Sequence, residues 1–277
     1  MCLPGTIEAV RERIEQDGVP RIDRRTVLLG AAGAALAAAV PGSAQARTIP
    51  AHRIQDLTHV FRAGSPVFTG PEPAREDLFT FASAGFYSQK WTFGEHSGTH
   101  MDAPGHFIPG ARLTPAITPQ ELVVPLVVVD ISDKATRNPN ATVTVDDLRR
   151  FERGHGHIPR GAFVAMNSGW AAKINDELAY KGGASFPDYN FPGWSKKAVE
   201  WLIANRSITG VGVDTMSLDP GNSTTFEVHV LLLGSNRYGL ENLANLGNVR
   251  PRGATAFVGV VPWEEGSGGP LRALAVW

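Results

Sequence analysis

Residues 121–132 read ELVVPLVVVDIS, apolar without a break from Leu122 to Val129. A strand with one wet face alternates apolar and polar side chains, so an unbroken run marks a strand buried on both faces. Outward from it the pattern recurs: GAFVAMNSGW (161–170) and ITGVGVDT (208–215) are two more buried strands. Helical stretches lie between and after them. VTVDDLRRFERG (143–154) has an Asp cap and then helical spacing that stops at Gly154. WSKKAVEWLIANR (194–206) is amphipathic through Ala198, Val199, Trp201, Leu202 and Ile203. STTFEVHVLLLG (223–234) reads as a capped helix that ends at Gly234. ATAFVGVVPW (254–263) and PLRALAVW (270–277) are closing strands. On the N-terminal side, IQDLTHVFRAGSPVFT (54–69) gives a strand, a turn and a short strand, and FTFASAGFYSQKWTF (79–93) is β-rich. The fold class is α/β: a single mixed-sheet domain with helices packed on a central β-sheet, its Gly/Pro-rich stretches short enough to be loops.

The chain has 277 residues, 43% hydrophobic and 19% charged, which suffices for a large core. A formal net charge of −1 offers no electrostatic footprint for nucleic acid or an anionic membrane. Arg24 and Arg25 precede a weakly apolar stretch from Val27 to Val40; Pro41 breaks it, and Ala44-Gln45-Ala46 is a small-residue cleavage site. These features resemble a twin-arginine export signal over 1–46 that is removed, leaving a domain over 47–277. They predict an exported protein, periplasmic or extracellular, with no membrane attachment after cleavage. Cys2, the single cysteine, falls inside the signal. The remaining chain therefore has neither disulfide nor thiolate, and any metal must be held by His and carboxylates.

HSGTHMDAPGHF (96–107) supplies such groups, with His96, His100, Asp102 and His106 inside eleven positions. In an ideal strand the four share a face, but His96 and Asp102 lie ~20 Å apart at ~3.3 Å per residue. A helix turns Asp102 away and is broken by Pro104. Gly98, without a Cβ, permits a sharp bend that returns His96 towards His100 and Asp102. Two imidazoles and a carboxylate suit Zn, Mn or Fe(II). His106 is left as a fourth ligand or a base. Elsewhere the residues alone leave alternatives open. His229 sits among Val228, Val230, Leu231 and Leu232, where a lone imidazole is ordinarily a bonded core residue, and Glu241 suits a helix start. Asp214 and Asp219 could orient ligating histidines or shape turns, with a turn preferred for Asp219 in DPGNS. His155 and His157 read as an exposed loop, and His59 either approaches the site or caps a turn.

The pattern H-x-G-T-H-x-D-x-P-x-H-F at 96–107 resembles the signature of the cyclase family of metal-dependent hydrolases, which includes bacterial kynurenine formamidases and isatin hydrolases. DLTHVFRAGSPVFTG (56–70), MNSGW (166–170), GVDTMSLDP (212–220) and HVLLLGSNRYGLENLANL (229–246) are similar to its other segments. The resemblance implies a fold of the swivelling β/β/α type. It implies one or two divalent ions, Zn or Mn: His96, His100 and Asp102 would hold the first, and Asp102 would bridge to a second completed by His229 and Glu241. His229 and Glu241 would then lie within ~6 Å of the Asp102 carboxylate. His106 would be the catalytic acid/base, with Phe68 and Trp170 binding substrate. Phe68 stands where the formamidase branch carries a Trp. The implied partner is a small aromatic amide or lactam, and the implied assembly a homodimer or homotetramer.

The reaction so implied is hydrolysis of an amide-like C–N bond by metal-activated water. Lactone or ester hydrolysis would use the same site. A non-haem iron oxygenase also uses two His and one carboxylate but needs O2, so anaerobic turnover separates it. A periplasmic metal-binding protein would show four or more protein ligands and no open position.

Overall fold

The computed structural model describes residues 53–277; the export signal read over 1–46 lies outside them. By its contacts the chain separates into two units. The smaller, 75–90 among the described residues, is most of a hairpin, Ala74–Phe79 paired with Ser88–Thr92. Within the stretch read as β-rich, residues Phe81–Ala84 form a helical turn, because Thr80 and Ser83 exchange side-chain-to-backbone bonds in a capping box.

In the larger unit, eight strands form the main sheet. In chain order they are β1 (Ile54–Asp56), β2 (His100–Asp102), β3 (Val123–Asp130), β4 (Phe163–Asn167), β5 (Gly210–Val213), β6 (Tyr238–Glu241), β7 (Arg252–Val260) and β8 (Gly268–Val276). Their order across the sheet is β1-β8-β7-β3-β4-β5-β6-β2, and β2 also pairs with β8. Strands β2 to β8 therefore close into a ring, and β1 pairs with β8 at residues 274–276, beyond the stretch that pairs with β2. The run β3-β4-β5-β6 is parallel and the other pairings are antiparallel. The expected mixed sheet with helices is present, but it is a closed seven-stranded barrel and not an open central sheet. Closure removes the free edges that an open sheet would have to protect.

The ring explains the unbroken apolar run of β3. Val124, Leu126 and Val128 face inward with Phe163, Tyr238, Leu240, Ala256 and Ala273. Val127 and Val129 face outward, under Leu148 and Phe151 of α1 (Val145–His155), Val199 and Leu202 of α2 (Lys196–Arg206), and Leu232 of α3 (Glu227–Gly234). Alternate residues thus fill two cores. Helix α1 starts after Thr144, whose side chain accepts from Asp147 N, and runs one residue past the expected stop to a cap at Gly156. Helix α3 starts at Glu227, after Phe226 in the left-handed region at φ 48°, so residues 223–226 stay outside it. Segment 67–69, read as a short strand after the turn, has no strand structure.

Candidate metal centre

Strand β2 carries His100 and Asp102, and both its neighbours hold it in register. Glu241 of β6 pairs opposite His100, and Gly268 of β8 opposite Asp102. His100, Asp102, Glu241 and His229 are all buried. Gly98 adopts φ +62°, the bend that returns His96, so that His96 Nδ1 lies 2.7 Å from Asp102 Oδ1. His100 Nε2 is 3.4 Å from the same oxygen and 3.3 Å from Glu241 Oε2. His229 Nε2 is 3.5 Å from Asp102 Oδ2 and 3.1 Å from Glu241 Oε1.

The outer nitrogens of these imidazoles are already engaged. His100 Nδ1 faces the Gly98 carbonyl at 2.9 Å, and His229 Nδ1 faces Asp219 Oδ2 at 2.7 Å. His96 Nε2 lies 3.1 Å from Ser267 Oγ, a hydroxyl that donates its proton to Glu95 Oε2. Each outer nitrogen therefore carries the proton, and each inner nitrogen turns a lone pair towards carboxylate oxygens. Acceptors facing acceptors in a buried site repel unless a cation lies between them. His100 Nε2 and Asp102 Oδ2 are buried without a hydrogen-bond partner among the described residues. Donors ~2.1 Å from one ion stand ~3.0–3.4 Å apart, close to the spacings found. These observations fit a divalent metal.

Without an ion, protons take that place. Burial alone lowers His100, but Asp102 and Glu241 outweigh it and lift the imidazole to about 10. His229 is likewise disfavoured as a cation by burial, yet Asp102, Asp219 and Glu241 hold it well above its ordinary value. Burial raises Asp102, while His100, His229 and His96 pull it well below the usual carboxylate range. His106 goes the other way: burial lowers it to about 4, with His96 and His229 adding to the effect against Asp102. It is a neutral imidazole at pH 7, stacked on His96 with ring centroids 3.7 Å apart. His106 can also join His96 and Asp102 as a set of donors within 4.8 Å of one another, so both roles left open by the sequence stay geometrically accessible.

The cluster forms one side of a cavity of about 350 Å³. Phe68, Phe107 and Phe226 line it, with Phe107 stacked on His229 at 4.8 Å and Phe226 between Phe107 and Phe68. Trp170 does not reach this cavity. It is buried beside Tyr180, Phe191 and Met216, and its indole donates to the Tyr180 carbonyl. Asp219 is not merely a turn residue, since its carboxylate accepts from the Val228 and His229 amides as well as the His229 ring. Asp214 accepts from Ser168 and Trp170 instead, and burial pushes it up to about 6. His155 and His157 are exposed. His59 lines a separate cavity of about 690 Å³ with Arg62, Asn167 and Asn175, which gathers no comparable set of imidazoles and carboxylates. The sequence reading passed over Glu95 and Ser267; they lie 172 positions apart, and no local pattern signals that they meet.

Residues 55–220 match the cyclase family, a span that ends before His229 and Glu241. The chain is 34% identical over 200 residues to the isatin hydrolase of Roseibium aggregatum, covering 69% of this chain and 75% of that protein. It is 25% identical over 206 residues to the kynurenine formamidase of Bordetella petrii, covering 69% and 82%. The solved structure of isatin hydrolase A from Ralstonia solanacearum superposes with a TM-score of 0.77 at 33% identity, over 93% of this chain and 98% of that one. Sequence and architecture agree: the chain belongs to the cyclase family.

Proposed function

We propose that this protein is a metal-dependent hydrolase that opens the lactam C–N bond of a flat bicyclic aromatic amide of the isatin class. One observation carries the reading: three imidazoles turn lone pairs onto two carboxylates beside an aromatic-walled cavity. The isatin hydrolases are closer in sequence than the formamidase, at 34% and 33% against 25%. Phe68, where the formamidase branch has a Trp, favours the same side. His96, His100, Asp102, His229 and Glu241 would hold one or two ions, Zn or Mn. The two Asp102 oxygens divide between His96 and His100 on one side and His229 on the other, which supports a bridging role. A bound ion would supply a Lewis acid for the carbonyl and lower the pKa of water towards ~7.

The chain's own groups do the rest. Phe68, Phe107 and Phe226 present apolar faces to the substrate ring and narrow the access of water. His106, neutral at pH 7, takes a proton from the attacking water. The water oxygen bonds to the lactam carbonyl carbon, the C–N bond breaks, and the proton passes from His106 to the departing nitrogen. The second water proton leaves the new carboxylic acid for solvent, and the product is an aromatic amine that carries the carboxylate.

The test is turnover of isatin, N-formylkynurenine and simple lactones by protein stripped of metal and reloaded with Mn2+ or Zn2+. Metal-dependent opening of isatin, equal in air and under nitrogen, is expected. No isatin turnover with either metal refutes the substrate assignment. His106→Ala should keep its ion and lose about 10²–10⁴-fold in kcat. Loss of the ion in that variant would make His106 a ligand instead.

A further inference from the structure

The three inner nitrogens are aimed by three different devices, and the one on His96 reaches towards solvent. His100 is fixed by a backbone carbonyl two residues away and His229 by a buried carboxylate. His96 is fixed by Ser267, which stands immediately before β8. The Ser267 amide donates to Glu95 Oε2 at 2.9 Å and its hydroxyl donates to the same oxygen at 2.5 Å. A serine hydroxyl has one proton. Having given it to Glu95, Ser267 Oγ can only accept from His96 Nε2. The Ser267 carbonyl is itself held by the Ala103 amide at 2.9 Å, next to Asp102, so the hydroxyl is anchored to the metal-bearing strand.

We infer that Glu95, acting through Ser267, is a positioning residue that sets the His96 tautomer and thereby keeps Nδ1 available to the metal. The inference rests on the metal-site reading above and adds two residues to it. Glu95 borders the cavity, but its Oε2 is engaged by the Ser267 amide and hydroxyl. Its side chain is 43% exposed, so its removal leaves no buried unpaired charge. In its absence the Ser267 hydroxyl can turn its proton towards His96 Nε2, which favours the tautomer that puts hydrogen on Nδ1, facing Asp102.

The experiment measures Zn2+ affinity of the full chain by chelator competition, for wild type, Glu95→Ala, Ser267→Ala, the double variant and Glu95→Gln. Orienting partners of metal-bound histidines are worth roughly 10–100-fold in affinity. Glu95→Ala and Ser267→Ala should each weaken Zn2+ binding in that range, and the double variant no further than the worse single one. Glu95→Gln should restore most of the loss, since its amide oxygen still accepts from Ser267. Nitrogen-15 NMR of the Zn2+-loaded wild type should show the His96 proton on Nε2. Affinities unchanged within about twofold, additive losses, or a proton on Nδ1 overturn the inference. If the wild type binds neither Zn2+ nor Mn2+, the metal reading falls and this inference with it; unchanged affinities in the variants of a metal-binding wild type overturn this inference alone.

Discussion

At the scale of single residues, an imidazolium cannot be a metal ligand, so the ion must displace protons. His100 is lifted to about 10 and His229 well above its ordinary value, so both are protonated at pH 7 in the metal-free protein. Their folded values exceed the unfolded value of ~6.5. The charged imidazoles therefore stabilise the metal-free fold fully below about pH 6.5, and that contribution is lost as pH rises through about 10. Metal affinity should accordingly rise with pH, and loading at pH 7 should release protons. Calorimetry in buffers of different ionisation enthalpy reads this directly; an enthalpy independent of buffer contradicts it. Asp219→Asn should weaken metal binding about 10–100-fold by loosening the His229 ring. Its melting temperature should also fall, since the carboxylate accepts two backbone amides at the start of α3. The sequence made the H-x-x-x-H-x-D donors legible because they are local. Asp219 was read as a turn because a carboxylate in DPGNS looks the same whether or not an imidazole ten residues on closes over it.

At the scale of elements, two close approaches hold the donors in place. A Cβ on Gly268 would sit 2.3 Å from the Met101 carbonyl and 2.5 Å from His96 Cε1. Gly268→Ala should therefore push β8 off β2, displace the His96 ring and abolish tight metal binding. At Gly98 a Cβ would meet Phe61 at 2.6 Å and φ is +62°, so Gly98→Ala should cost about 1–3 kcal/mol and weaken the same site. Thermal melts with metal titration check both, and a variant with native stability and affinity refutes the contact concerned. The buried strands and the amphipathic helix were legible because each shows its own period. The start of α3 was misplaced because Phe226, in a left-handed conformation, ends the preceding turn where the apolar pattern shows no break.

At the scale of the whole molecule, the strands were readable but their closure was not. The ring depends on β2 pairing with β8 at residues 100–102 and 268–270, and a three-residue strand carries too short a pattern to announce its partners. Glu241 illustrates the same limit. Its residue pattern alone left a helix start open and only the family resemblance drew it to the metal; it ends β6 and reaches the site through its register opposite His100. An ion held among β2, β6 and α3 ties distant parts of the chain together. Binding to the folded state alone should raise stability by about 2.7 kcal/mol at a free metal concentration 100 times Kd. Stripped protein should melt at a lower temperature, and reloading should restore it; equal melting curves with and without metal rule out an ion at that place. The closing seam also orders events during synthesis. His96 and Asp102 are translated well before Ser267 and the strand that flanks Asp102. A nascent chain can present the signature motif while residues 108–266 are added, without a seat for an ion. Metal capture should therefore wait for Ser267 and β8, and a ribosome stalled before residue 267 should display a polypeptide that contains the whole motif and binds Zn2+ no better than an unfolded peptide.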